Sequence, residues 1–246
     1  MKIVYMGLSD RVGYSVAIVL VLAIAAYSFL YFQKVKRAIK LSLAAPNQTG
    51  DYSLGSRRKP RLRVLLLGDS IAAGTGIEKF ENSVGGMLAV KLSEKYQVFL
   101  SNRAKLGNRV SNIARDGVTG DWDLAIIIAG SNELIRRRKN EDFEGSLDQL
   151  LKKLSAHADS IVLVGPGDVA SAGIFPLWIR LIMRRNQWQM AKKMTSVARL
   201  RGVEYANPLE RPNSKGYFST DGLHPNALGN KVWFEIIWDK IKHQFE

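Results

Sequence analysis

Three polar side chains that together could hydrolyse an ester lie in short segments of this sequence beside apolar runs. Ser70 follows the apolar run of residues 63–67, so we expect it at a strand end, with its hydroxyl exposed and its amide N–H facing the same space. Asp221 precedes His224 by three residues, so its carboxylate could accept the Nδ1–H of the imidazole and leave Nε2 free as a base. A serine nucleophile that is activated by a histidine needs residues of these types.

Structural roles for the same segments compete with this interpretation. Ser70 and Asp69 could cap a following helix, because short oxygen-bearing side chains often bond to free N–H groups at a helix start. A phosphate-binding loop is a second alternative, since Gly68, Gly74 and Gly76 surround the serine. The segment has neither the GxGxxG spacing nor a GK[ST] sequence, which argues against that loop. The aspartate–histidine segment could likewise be a polar turn that caps the last helix.

Two further positions could supply hydrogen-bond donors beside the serine. Gly107 follows the second expected strand, and a residue without a side chain lets its backbone N–H approach a ligand closely. Asn132 follows the third expected strand, and its amide group offers two N–H donors. An ordinary turn residue is the alternative at both positions.

Short apolar runs alternate with segments of helical periodicity from residue 61 onward. The expected strands are 63–67, 97–100, 123–129, 161–164 and 203–206, and the expected helices are 83–96, 147–156, 176–201 and 227–244. This alternation predicts an α/β fold in which helices cover both faces of a parallel sheet. Ligands bind at the carboxyl ends of the strands in such sheets, which is where the sequence places Ser70, Gly107 and Asn132.

Residues 12–32 form an uncharged apolar segment that is long enough, as a helix, to cross a bilayer core of roughly 30 Å. A cleaved signal peptide has a shorter apolar region and a cleavage site of small residues, whereas Lys34 and further basic residues follow here. We therefore expect a retained transmembrane helix after an N-terminal tail at 1–11. A basic juxtamembrane linker at 33–61, without clear periodicity over 41–60, would lead to the catalytic domain at 62–246.

The net charge of +14 is concentrated beside that apolar segment. Residues 33–63 contain nine Lys and Arg and a single Asp, a pattern that favours an anionic membrane surface. We expect no nucleic-acid partner, because no basic and aromatic binding module is recognisable. Basic residues are more numerous after the segment than before it, which favours a cytoplasmic catalytic domain. The chain has no cysteine, which excludes disulfides, cysteine zinc sites and a cysteine nucleophile.

Four short blocks, in this chain order, resemble the SGNH/GDSL hydrolase family over about residues 62–243. The blocks are Gly68-Asp69-Ser70, Gly107, Gly130-Ser131-Asn132 and the segment 221–226 (DGLHPN). The resemblance implies a flavodoxin-like three-layer α/β/α sandwich, and ester or thioester hydrolysis without metal or cofactor. The family includes bacterial lysophospholipases, acyl-thioesterases and carbohydrate acetylesterases. Ile71 and Glu133 depart from the residues common in the family, but neither change removes a reacting group.

The resemblance also implies a role for each matched residue. Ser70 would be the nucleophile, with His224 as its base and Asp221 orienting the imidazole. The amide N–H of Ser70, that of Gly107 and the side chain of Asn132 would hold the oxyanion of the tetrahedral intermediate.

Two segments suggest that the substrate is a lipid-like or acylated amphiphile. Arg136 begins a basic run that continues to Lys139 and could bind an anionic head group. Phe175 and Trp178 lie in the apolar segment 173–182, and could line an acyl pocket or enter lipid. A solvated charge run and a helix packed on the core are the structural alternatives. An O-acetyl esterase of glycans and a non-catalytic binding module of this fold are the alternative functions.

Overall fold

The computed structural model describes residues 8–136, 142–211, 213 and 216–245. Its strands are β1 (Gly50–Leu54), β2 (Arg61–Gly68), β3 (Gln97–Asn102), β4 (Trp122–Ile128), β5 (Ala158–Val164) and β6 (Glu204–Ala206). Its helices are α1 (Leu8–Ala44), α2 (Val84–Ser93), α3 (Val110–Asp116), α4 (Ser131–Ile135), α5 (Phe143–Leu154), α6 (Leu177–Leu200) and α7 (Ala227–Phe245). The sheet order is β1-β3-β2-β4-β5-β6, in which β1 alone pairs antiparallel to its neighbour.

Successive residues of the central strands enter two different cores, one on each face of the sheet. On β2, Val64 and Leu66 pack in the core with α2 and α7, whereas Leu65 and Leu67 pack in the core with α3, α5 and α6. Because both faces are covered, β2 and β4 consist of continuous apolar runs rather than alternating ones. The predicted three-layer α/β fold is confirmed, and all five strands expected from the sequence are present.

The prediction that residues 41–60 form a linker without regular structure is wrong. Residues 50–54 form the edge strand β1, which pairs antiparallel with β3, so that Tyr52 lies opposite Leu100. Tyr52 also stacks on Phe80, with ring centroids 3.8 Å apart. Polar and apolar residues alternate over 51–54, and Tyr52 and Leu54 both pack against the core on one face of the sheet. Sequence reasoning missed this pattern because it is only four residues long.

The helix of the predicted membrane segment continues well past its expected end at Phe32. The chain from Gln33 to Ala44 contains good helix formers such as Lys, Arg, Leu and Ala, and neither Gly nor Pro interrupts it before Pro46. Residues 13–44 form a helix long and apolar enough to cross a membrane, and its most apolar stretch is exposed. Residues 8–11 of the expected tail are helical, and the rest of that tail lies outside the described residues.

Candidate active site

Ser70 lies at the carboxyl end of β2, in a sharp turn that depends on Gly68. The φ of Gly68 is +150°, and a Cβ atom there would lie 2.2 Å from the carbonyl oxygen of Ile128 on β4. Only glycine therefore lets the chain leave the sheet at this point. The Asp69 carboxylate accepts the amide N–H of Ile71 at 3.0 Å, which closes the turn.

The helix that the capping alternative requires directly after Ser70 is not formed in this described stretch. Residues 70–76 form a series of turns instead, in which the amide of Thr75 donates to the carbonyl oxygen of Ser70 at 3.0 Å. Gly74 and Gly76 have φ angles of +64° and +86°, which a continuous helix does not contain. Ser70 is therefore not a helix cap, and the alternative structural role for it is removed.

The side chains of Ser70, His224 and Asp221 form one hydrogen-bonded chain. His224 Nε2 lies 2.8 Å from Ser70 Oγ, and His224 Nδ1 lies 2.6 Å from Asp221 Oδ2. All three residues were expected to meet from the sequence, although 151 positions separate the serine from the aspartate. Ser70 and His224 are both buried, so water competes little for these bonds.

The loop that carries the histidine is folded around the Asp221 carboxylate. Oδ1 accepts three hydrogen bonds, from the hydroxyl of Ser219 at 2.7 Å, the amide of Leu223 at 2.9 Å and the amide of His224 at 3.0 Å. Burial alone raises the pKa of Asp221, but hydrogen bonds from the His224 side chain, the loop amides and Ser219 outweigh it and hold that pKa below its ordinary value. The carboxylate is therefore ionised and fixed in position.

Ser42, on α1, also reaches this carboxylate. Its hydroxyl oxygen lies 2.9 Å from Asp221 Oδ2 and 2.9 Å from the carbonyl oxygen of Ala38 one turn back. Sequence reasoning missed this residue, because nothing in the pattern around Ser42 shows where the end of α1 lies on the domain. The helix predicted to cross the membrane thus contacts the same carboxylate as His224.

Gly107 and Asn132 line the same pocket as Ser70 and His224. Gly107 has a φ of +78°, a conformation that glycine adopts without strain. In the described part of the chain, neither the amide of Ser70 nor that of Gly107 donates to another backbone carbonyl. One N–H of the Asn132 side chain donates to the carbonyl oxygen of Asn108 at 2.9 Å, which leaves its second N–H for a ligand.

Buried polar residues hold the loop of Asn132 against the start of α3. Glu133 Oε1 accepts the amide of Val110 at 2.7 Å, and Arg109 Nη1 donates to the carbonyl oxygen of Asn132 at 3.2 Å. Glu133, where the resemblance expects a shorter Asp, therefore ties α4 to α3. The side chain of Asn132 is fixed by its neighbours rather than free to rotate.

The residues suggested for substrate binding separate into two groups. Arg136 lines the pocket and lies beside Gly107, since a Cβ on that glycine would be 3.8 Å from the guanidinium. Residues 137–139 of the basic run lie outside the described residues. Phe175 packs into two small clusters between α1 and the start of α6, and Trp178 is 61% exposed on α6. Neither aromatic residue is among those that line the pocket around Ser70, so entry into lipid, the other alternative given for them, stays a prediction.

The pocket wall opposite the sheet is formed partly by α1. Ala38, Ile39, Ser42 and Leu43 lie along it, and Ile174 packs against Ala38. An ester bound at Ser70 would therefore contact the end of the predicted membrane helix.

The carboxyl group of Asp69, next to the serine, has a raised pKa. Burial, assisted by the nearby Glu133 carboxylate, raises the pKa of Asp69 to about 7, although the hydrogen bond from the Ile71 amide and the neighbouring His224 and Ser131 side chains act to lower it. Because the proton binds more tightly in the folded state, the contribution of Asp69 to the free energy of unfolding is fully present below about pH 4 and is lost as the pH rises through 7.

Asp69→Asn is expected to remove this pH dependence, because the amide oxygen still accepts the Ile71 N–H but nothing ionises. Above pH 7 the variant should exceed the wild type in free energy of unfolding by a few kcal/mol, since one pKa unit corresponds to about 1.4 kcal/mol. Urea titration of the full chain in detergent, followed by tryptophan fluorescence at pH 4 to 8, measures it. The exposed Asp159→Asn is the matched control, and parallel pH curves for wild type and Asp69→Asn would contradict the prediction.

A three-layer α/β fold with a serine, a histidine and an aspartate hydrogen-bonded at the carboxyl edge of its sheet is the arrangement of a serine hydrolase. The chain belongs to the GDSL-like Lipase/Acylhydrolase family, whose model matches residues 66–232. It is therefore a hydrolase that acts on esters, and its membership of the SGNH/GDSL family is confirmed. A comparison with curated proteins found no match.

Solved structures share the fold at low sequence identity. A catalytic mutant of Axe2, an acetylxylan esterase from Geobacillus stearothermophilus, is 18% identical, with a TM-score of 0.58 over 77% of this chain and 96% of that one. TesA is 21% identical, with a TM-score of 0.60 over 74% of this chain and 98% of that one. LAE5, an alpha/beta hydrolase enzyme from the metagenome of Lake Arreo, Spain, is 18% identical, with a TM-score of 0.60 over 75% and 96%. These proteins share the fold and leave the substrate open.

Proposed function

We propose that this protein is a membrane-anchored serine esterase that cleaves an acylated amphiphile through an acyl-enzyme on Ser70. The observation that carries the proposal is the buried chain from Ser70 Oγ through the His224 ring to Asp221, with links of 2.8 and 2.6 Å. A histidine so placed can take the serine proton at the moment when Oγ attacks.

In the first half of the reaction, Ser70 Oγ attacks the carbonyl carbon of the ester while its proton moves to His224 Nε2. Asp221, which is ionised, stabilises the imidazolium that forms. The oxyanion is held by the amides of Ser70 and Gly107 and by the free N–H of Asn132. When the tetrahedral intermediate collapses, the bond to the alcohol oxygen breaks and His224 gives its proton to the leaving alcohol.

In the second half, water attacks the acyl-serine with the same groups in the same roles. His224 takes a proton from the water, and the same donors hold the new oxyanion. The ester bond to Ser70 then breaks, the acid leaves, and the proton returns to Ser70 Oγ. Atoms and charge balance as one ester plus one water gives one acid plus one alcohol.

The pocket wall favours an acyl chain over a sugar. Ile39 and Leu43 of α1 face it from one side, and Leu106, Ile135 and Ile174 add apolar surface around Ser70. Burial of such a chain is favourable by about 0.8 kcal/mol per CH₂ group. The guanidinium of Arg136 at the rim is available to an anionic head group. These features support a lipid-like ester such as a lysophospholipid.

We propose further that α1 is a retained single-pass anchor with the catalytic domain on the cytoplasmic side. Its length and apolar composition support a membrane span, and the packing of Ala38 and Ser42 on the domain gives the end of the helix a role that cleavage would remove. The greater number of basic residues after the span supports the orientation.

Hydrolysis by the full chain in vesicles should be fastest with a long-chain lysophospholipid, slower with a short soluble nitrophenyl ester and slowest with an acetylated oligosaccharide. The reason is that each methylene buried in the transition state lowers the barrier. The initial rates of the three reactions at equal concentration measure the order, with Ser70→Ala protein as the blank. Faster release of acetate from the oligosaccharide than of fatty acid from the lipid would replace this proposal by a glycan O-acetyl esterase.

A further inference from the structure

Just beyond its uncharged segment, the anchor helix is bound to the loop that precedes α6. Lys34 Nζ donates to the carbonyl oxygen of Gly173 at 2.6 Å. Val35 packs against the buried cluster of Ala38, Ala172 and Ile174. Lys34 stands two residues after Phe32, where the uncharged segment ends. This part of the domain is therefore held at the level where α1 leaves the membrane.

The first two turns of α6 expose large apolar side chains. Leu177, Trp178, Leu181 and Ile182 are 70%, 61%, 60% and 57% exposed. Their spacing places all four on one side of the helix. A contiguous apolar surface of this kind on an exposed helix marks a place of contact with lipid or protein.

The direction of α6 places this surface at the rim of the active site. A helix that follows a parallel strand begins at the carboxyl edge of the sheet, and α6 follows β5. Ser70 lies at the same edge, after β2. The apolar turns of α6 are therefore on the side of the domain that α1 approaches, and the helix runs away from the membrane toward Leu200.

Basic residues follow the apolar turns on both helices. On α6 the exposed Arg184 and Arg185 come one turn after Leu181. On α1 the exposed Lys36 and Lys40 come after the uncharged segment, on the side turned away from the domain. An apolar end followed by a cationic turn is the distribution of a helix that enters an anionic membrane interface.

We propose that Leu177, Trp178, Leu181 and Ile182 insert into the surface of an anionic bilayer beside the anchor helix, with Arg184 and Arg185 among the lipid head groups. The proposal rests on the anchor assigned under the proposed function. The occupant is the bilayer rather than a second protein, because the Lys34–Gly173 contact joins this surface to the point where α1 enters the membrane.

This arrangement extends the proposed function, because it defines how a substrate in the bilayer reaches Ser70. Ser42, which lies beside Asp221, is eight residues beyond Lys34, or about 12 Å along the helix. That distance is shorter than an extended acyl ester with its head group. A membrane-resident ester can thus reach Ser70 while its acyl chain stays partly in the bilayer. The substrate class is therefore an amphiphile of the leaflet on which the catalytic domain lies.

Single-cysteine variants of the full chain test the inserted surface, since the chain has no cysteine of its own. Trp178→Cys and Leu181→Cys are labelled with an environment-sensitive dye and reconstituted in vesicles of phosphatidylcholine and phosphatidylglycerol, with and without lipids that carry a nitroxide near the head group. Leu200→Cys is the matched control, because it is 77% exposed on the same helix but about 33 Å further along. Val21→Cys lies near the middle of the predicted span, so it is measured with lipids that carry the nitroxide in the middle of the acyl chain, and it reports on the anchor itself.

At positions 178 and 181 the expected result is a blue shift of the dye emission and a loss of emission with nitroxide lipid. Neither change is expected at position 200. Quenching at position 21, but none at 178 or 181, would overturn the inserted surface and leave the anchor intact. A blue shift at 178 without quenching would assign the surface to a protein contact instead. Absence of quenching at position 21 as well would show that the proposed anchor has failed.

Discussion

Ser70→Ala is expected to lower kcat for any ester substrate by about 10⁶-fold, because the variant has no atom that can form the acyl-enzyme. The remaining rate would come from water, with the oxyanion donors still in place. The change removes one oxygen from a turn whose shape depends on Gly68 and the Asp69–Ile71 hydrogen bond, so the fold should be unaffected. Initial rates on a soluble nitrophenyl ester measure the loss.

Covalent labelling gives an independent measurement of the same assignment. A fluorophosphonate probe should label the wild-type chain at Ser70 and fail to label Ser70→Ala. The matched control is Ser196→Ala, which removes an exposed hydroxyl that donates to the Lys192 carbonyl oxygen of its own helix. Labelling of the Ser70→Ala protein at the wild-type rate, or activity within tenfold of wild type, would refute the nucleophile.

The sequence predicted the strands from strong local patterns, and it predicted the meeting of Ser70 with His224 from the resemblance of the short blocks that carry them to one family. Apolar runs such as 123–129 have few alternatives to a buried strand. In a parallel sheet the carboxyl ends of those strands share one edge, so residues that follow them are brought together by topology alone. The aspartate and histidine need only a single turn, which Gly222 supports with a φ of +69°.

The sequence did not predict features that depend on contacts between distant segments. β1 is a strand because β3 offers it an open edge, and its own five residues are mostly polar or small. Ser42 reaches Asp221 because α1 continues to Ala44 and packs by Ala38 against Ile174. Helical periodicity correctly predicted the helix at 176–201. The sequence does not show that the first turns of this helix are exposed, because apolar residues there have the same pattern as residues that face a core.

The contact between α1 and Asp221 joins the proposed membrane anchor to the proposed catalytic site. An ordinary linker would leave the domain free to turn relative to the membrane. Here the helix that is proposed to span the bilayer ends in the wall of the pocket, with Ser42 2.9 Å from the carboxylate. The orientation of the pocket relative to α1 is therefore set by the same contacts that support the His224 loop.

Asp221→Asn is expected to lower kcat by about 10⁴-fold through the tautomer of His224 rather than through the fold. Asp221 Oδ1 accepts three donors from its own loop, so the oxygen of the asparagine amide should take that position. Its NH₂ group would then face His224 Nδ1 as a donor. To accept that bond, the ring must carry its proton on Nε2, where it can no longer take the proton of Ser70 Oγ.

Steady-state kinetics on a soluble ester measure this effect, and KM should change far less than kcat because the pocket wall is untouched. Ser219→Ala is the control, since it removes one bond to Oδ1 without reversing the donor at His224, and it should cost about tenfold or less. Far-UV circular dichroism should be the same for the wild type and both variants. An asparagine variant with kcat within tenfold of wild type would show that Asp221 does not set the tautomer. Asparagine keeps the shape of the side chain. It removes only the negative charge and reverses the direction of the hydrogen bond with His224 Nδ1, so the loss of rate measures the effect of these two properties.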